Sequence, residues 1–75
     1  MHSSRFSWGD TVRVSANAPE AYRPGALGSI CGMRTITTRE TAELFACQMG
    51  TMVYTVEFSD GLSLEVSDQY LEGVE

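Results

Sequence analysis

Few side chains in this sequence are of the kinds that do chemistry, and their spacing does not gather them. Glu57 and Glu65 are two carboxylates on one side of an alternating segment. A carboxylate pair performs acid–base work only inside a cleft, and on an alternating strand it reads as a solvated face. Cys31 and Cys47 are the only thiols. Metal centres and disulfide frameworks use more ligands at tighter spacing, so both cysteines read as reduced and structural. His2 is the single histidine, and its place in the polar stretch 1–5 rules out a Ser-His-Asp arrangement. Gly25 and Gly28 have no Lys behind them and lead into a strand, so they are not a phosphate loop. The expectation is no catalytic set, no metal and no cofactor, hence not an enzyme.

Residue types suited to binding are better represented. Trp8 is either a lid on one end of a core or an exposed binding aromatic. Tyr22 and Arg23 sit together ahead of Pro24-Gly25, on a loop braced by Pro19 and Pro24. An aromatic beside an Arg on a rigid loop is a recognition element, unless Tyr22 folds back over the core. Phe45, Cys47, Met49 and Met52 form an adaptable apolar group that suits core filling or an interface. A cationic or aromatic small molecule held between Trp8, Tyr22 and a carboxylate such as Glu57 is a second possibility. Cation–π contact plus a charge-assisted bond would supply roughly 2–4 kcal/mol.

Charge narrows the partners. Ten acidic residues face five basic ones, all Arg, for a net charge of −5. Such a field repels nucleic acid and anionic membrane, and no loop carries a Lys to override it. No apolar run reaches the about 20 residues of a membrane helix, and none resembles a signal peptide. The expectation is a cytoplasmic protein with a protein partner, or with a second copy of itself.

The elements that must position these residues centre on Met52–Val66. Tyr54, Val56 and Phe58 alternate with Thr55 and Glu57; Leu62, Leu64 and Val66 alternate with Ser63 and Glu65. Period-two alternation marks strands with one buried face. A loop of Ser59-Asp60-Gly61 pairs Phe58 with Leu62, Val56 with Leu64 and Tyr54 with Val66, so that every apolar partner falls on one side. Gly61 then takes the left-handed position such loops need. Thr11–Ser15 is a strand with Val12 and Val14 inward. Residues 16–27 are a loop with a type II turn at Pro24-Gly25. Gly28–Arg34 is a strand with Ile30 on one face, Cys31 and Met33 on the other, and two glycines that signal bending or close backbone approach. Thr37 with Glu40 matches a capping box and starts a helix of nine or ten residues, with Gly50 as a late stop. Ser67 caps one helical turn, and Leu71–Val74 returns to pair with the first strand.

A chain of 75 residues is one domain. Residues 1–5 are expected to be a disordered N-terminus and 6–75 the folded unit. The element order predicts a mainly β fold: a five-stranded SH3-like barrel with a short helix inserted between strands 2 and 3. A five-stranded OB-type barrel is the rival, and it usually needs longer strands.

Particular residues also suggest relatives. Gly9-Asp10-x-Val12-Arg13-Val14, Tyr22-Arg23-x-Gly25-x-x-Gly28-x-Ile30, Tyr54-Thr55-Val56-x-Phe58 and Tyr70-Leu71-Glu72 resemble the SH3-like domain at the end of the nitrile hydratase β subunit. Order and rough spacing hold over residues 6–73. Single-domain bacterial proteins of this type, some of them immunity proteins, look similar. In nitrile hydratases the metal sits in a Cys-rich motif of the other subunit, and Cys31 and Cys47 are too far apart to reproduce it. The resemblance therefore implies a module that docks on another protein. The binding candidates are Trp8, Tyr22, Arg23, Phe45, Met49 and Met52.

Overall fold

The computed structural model describes residues 5–74. Five antiparallel strands form one open sheet in the order β4-β3-β2-β1-β5. They are β1 (Thr11–Val14), β2 (Leu27–Thr35), β3 (Met52–Phe58), β4 (Ser63–Ser67) and β5 (Leu71–Gly73), with a single α-helix, α1 (Arg39–Leu44), between β2 and β3. One-turn 3-10 helices at Glu20–Tyr22 and Asp68–Tyr70 lie in the connections β1–β2 and β4–β5. Among the described residues no helix is long and apolar enough to cross a membrane.

The β3–β4 hairpin has the register its alternation demands. Tyr54 faces Val66, Val56 faces Leu64 and Thr55 faces Glu65. The Phe58 N–H donates to the Leu62 carbonyl at 2.8 Å, and Gly61 has φ +87°. Tyr54, Val56, Phe58 and Val66 join Val12, Val14, Ile30 and Leu71 in the main core. Leu62 departs from the expectation: at 43 % exposure it lies at the loop and not in the core. The last strand pairs with the first as expected, Val14 facing Leu71.

Strand β2 holds two surprises. Gly28 passes so close to β3 that a Cβ there would lie 2.5 Å from Val56 Cγ1 and 2.9 Å from the Glu57 carbonyl oxygen. Further along, the register shifts between Ile30 and Gly32, and Cys31 is the extra residue of a β-bulge. The bulge corrects the expectation that Cys31 and Met33 share a face. Met33 sits opposite Tyr54 and packs against the same core as Ile30. Cys31 and Cys47 are both half-buried and unpaired.

The helix is shorter than predicted and starts one residue later. Thr38, not Thr37, is the cap: its Oγ1 accepts from the Thr41 N–H at 3.2 Å, with Thr41 Oγ1 at 2.6 Å in place of the capping-box glutamate. The helix stops well before Gly50. Ala46 adopts φ +51°, the Cys47 N–H bonds the Ala42 carbonyl and the Ala46 N–H bonds the Glu43 carbonyl. That is a Schellman ending with alanine in the position glycine normally takes. Ala42 and Phe45 face Ile36 and Val53 in a second core cluster, on the opposite side of the sheet from Tyr54. The Ser67 hydroxyl, buried and without a partner among the described residues, makes no capping bond.

Of the polar stretch 1–5 the structure describes Arg5. Its N–H donates to the Tyr54 hydroxyl, and its Nη2 reaches the Asp68 and Leu71 carbonyls, each at 2.8 Å. The rest of that stretch, His2 included, lies outside the described residues.

Three substitutions test this account by urea denaturation. Gly28→Ala should cost about 1–3 kcal/mol, because backbone as well as Val56 must move. Gly32→Ala should cost less, since its nearest atom is the Thr55 hydroxyl at 3.2 Å. Ala46→Gly should raise stability by about 0.5–1 kcal/mol by relieving the left-handed alanine. A loss on that change would refute the strain.

Candidate functional site

Each candidate residue is placed by the element that carries it. Trp8 precedes Gly9, whose N–H donates to the Ile30 carbonyl at 2.8 Å. The indole stands 70 % exposed, so it is a surface aromatic and no lid. Tyr22 is half-buried, packs against the main core and meets the Tyr70 ring at 5.9 Å between centroids. That interaction sits where the Val14 end of β1 meets the loop, while Trp8 sits at the Thr11 end. The structure therefore does not bring Trp8, Tyr22 and Glu57 around one ligand.

Arg23 is used internally. The turn is the predicted type II, with the Ala26 N–H bonded to the Arg23 carbonyl and Gly25 at φ +85°. Arg23 itself adopts φ +61°. Its guanidinium forks onto both Asp60 oxygens at 3.1 and 2.9 Å and lies over the Phe58 ring at 5.1 Å. This ties the loop to the hairpin tip and leaves the charge spent. Two other arginines repeat the scheme. Arg5 pairs with Asp68 and lies over Phe6. Arg34 forks onto Glu65 and lies over Phe45.

Phe45 is a core residue at 7 % exposure, packed with Ile36, Ala42 and Val53. Met52 is half-buried, its sulfur accepting from the Thr35 hydroxyl at 3.1 Å. Met49 is 57 % exposed and Leu44, which the sequence did not nominate, is 76 % exposed. Met49 lines two adjoining depressions. One, of about 270 Å³, is bordered by Arg5, Met52, Tyr54 and Asp68. The other, of about 920 Å³ and wide open, is bordered by Arg39, Glu43, Cys47 and Gln69. Gln48, Met49, Thr51 and Asp68 border both. The Gln69 side chain donates to the Ala46 carbonyl at 3.3 Å, joining two residues that border the larger one.

Among the described residues no group of His, Cys, Asp and Glu could hold a metal ion. The Arg23–Asp60 clasp perturbs both of its members. The Asp60 carboxyl is held below the usual carboxylate range, first by the Arg23 guanidinium and then by the Leu62 N–H; Arg23 is raised by the same bond. Compared with protein-family models, curated proteins and solved structures, the chain finds no match in any of the three.

A carboxyl that titrates lower in the folded chain than in the unfolded one adds stability at higher pH. That stability is lost as pH falls through the folded value. Melting temperature should therefore drop between about pH 5 and pH 2. The drop should be shallower in Asp60→Asn. Equal slopes in the two proteins would show that the clasp does not couple to folding.

Proposed function

We propose that this protein is an SH3-like barrel acting as a non-enzymatic protein-interaction module in the cytoplasm. The strand order, the β1–β5 pairing and the helical turn ahead of β5 support the barrel. Leu44 and Met49 carry the docking reading. Both are large, apolar and exposed; Met49 lines two depressions built on the α1–β3 connection, and Leu44 belongs to the helix that borders one of them. Apolar projections beside hollows of mixed polar and apolar lining are how a hot-spot residue with a hydrogen-bonding rim is arranged. The motif resemblance to the nitrile hydratase β-subunit domain points the same way, to a module that docks on another polypeptide. An immunity-type role, with a toxin as the partner, is the most specific form of this reading.

The test compares wild type with Leu44→Asp/Met49→Asp as bait. Both residues are exposed, so the double variant should fold with an unchanged melt. It should lose any partner that wild type retains, with affinity weakened about a hundredfold or more, as expected for removing a hot spot. Equal retention by both baits would dismiss this surface.

A further inference from the structure

The outer face of the sheet carries a feature that the docking surface does not use. Thr11 and Arg13 alternate with the buried Val12 and Val14, and Ser29 and Leu27 are their partners on β2. Ser29 in turn faces Glu57 on β3. These side chains therefore lie on one face. Between them is a depression of about 290 Å³ bordered by Thr11, Leu27, Ser29, Glu57 and Ser59. It holds one carboxylate, three hydroxyls and one apolar wall, a set that fits a guanidinium with its aliphatic stem.

The charges on this face are unspent. Glu57 makes no ion pair among the described residues, and the hydroxyls of Thr11, Ser29 and Ser59 make no side-chain hydrogen bonds there. Arg5, Arg23 and Arg34 are committed to Asp68, Asp60 and Glu65. That leaves Arg13 and Arg39 without a carboxylate partner among the described residues. Arg13 stands outside the depression, directly across from Leu27 on its border. Glu72 lies opposite it on β5 without forming an ion pair. Leu27, 48 % exposed, sits on β2 between the strands that carry Arg13 and Glu57.

We infer that this face binds a second copy of the chain, with Arg13 of each protomer seated in the depression of the other against Glu57. A two-fold axis passing through the interface at Leu27 places Leu27 on its own counterpart. It also exchanges Arg13 and Glu57 reciprocally, as an isologous contact requires. The face is self-complementary because the Arg13 guanidinium and the Glu57 carboxylate stand on either side of an exposed leucine, with Glu72 at the outer edge beside Arg13. The contact is separate from Leu44 and Met49, so either surface can fail without the other.

Sedimentation of the full chain over a concentration series tests this. Wild type should shift from one chain to two, and added salt should weaken the shift. Arg13→Glu alone should set two carboxylates against each other across the interface, and Glu57→Arg alone should set two guanidinium groups against each other. Each should weaken association about tenfold or more, because like charges are then juxtaposed. Mixed in equal amounts the two variants should associate again, since every contact then pairs opposite charges. Melting curves confirm that both variants fold, as expected for exposed sites. Met49→Asp should associate as wild type does. A monomer at all concentrations, variants that associate like wild type, or a mixture that stays monomeric would each overturn the inference. Wild-type monomer that binds an arginine-rich peptide instead would also overturn it, because the depression would then take a foreign cation.

Discussion

The arrangement of both faces of the sheet depends on a single extra residue. Cys31 inserts as a bulge in β2, and side-chain direction inverts beyond it because the strand period is two. Ahead of the bulge Ile30 faces the core. Behind it Met33 does, with Arg34 turned outward beside Val53. Without the bulge, Arg34 would point into the main core as an unpaired charge. With it, Arg34 reaches Glu65 across the sheet and covers the Phe45 ring. The second core cluster of Ile36, Ala42, Phe45 and Val53 depends on the same inversion, since α1 can only dock on a face that offers apolar residues.

Three arginines then hold the elements in place by one shared scheme. Each guanidinium pairs with a carboxylate distant in sequence and lies over an aromatic ring. The partners are exposed, where isolated ion pairs contribute little. Their value here is positional: each fixes a loop or chain end against a strand, and each ring lends apolar contact to the arginine stem. Net charge thus gives a poor guide to the surface. Of the ten acidic side chains, three are consumed in these clasps, and Glu57 on the sheet face has no ion-pair partner among the described residues.

The hairpin was legible in the sequence to the level of register, because alternation and the Asp60-Gly61 signal agree on one pairing. The type II turn at Pro24-Gly25 and the β1–β5 pairing were legible for the same kind of reason, strong local chemistry. The bulge was only half legible. Gly28 and Gly32 announced irregularity, but nothing local says which residue is extra, so Met33 was placed on the wrong face. Val53 was missed because its burial depends on α1, which covers the face that alternation assigns to solvent. The helix end was misread because Ala46 takes a conformation that its side chain disfavours. Arg23 and Phe45 have suitable chemistry for recognition, and tertiary partners no local pattern reveals claim both. Leu44 lies about 100° from Phe45 and about 160° from Ala42 around the helix, so it turns away from the face they bury and stands exposed.

Arg5 has a consequence for the way the chain comes together. The meander β2–β3–β4 joins neighbours in sequence, whereas Arg5 bonds residues 63 and 66 positions away. Closing a loop of that length carries its entropy cost before any contact repays it, so such contacts belong late in folding. The chain is in this sense a meander fastened at its ends, by the β1–β5 pairing and by the Arg5 side chain. Its guanidinium lies 2.8 Å from the Leu71 carbonyl, so the two ends of the fold are already adjacent. A short linker could therefore join them, and a new opening in the Ser59–Gly61 loop would leave every strand of the sheet whole.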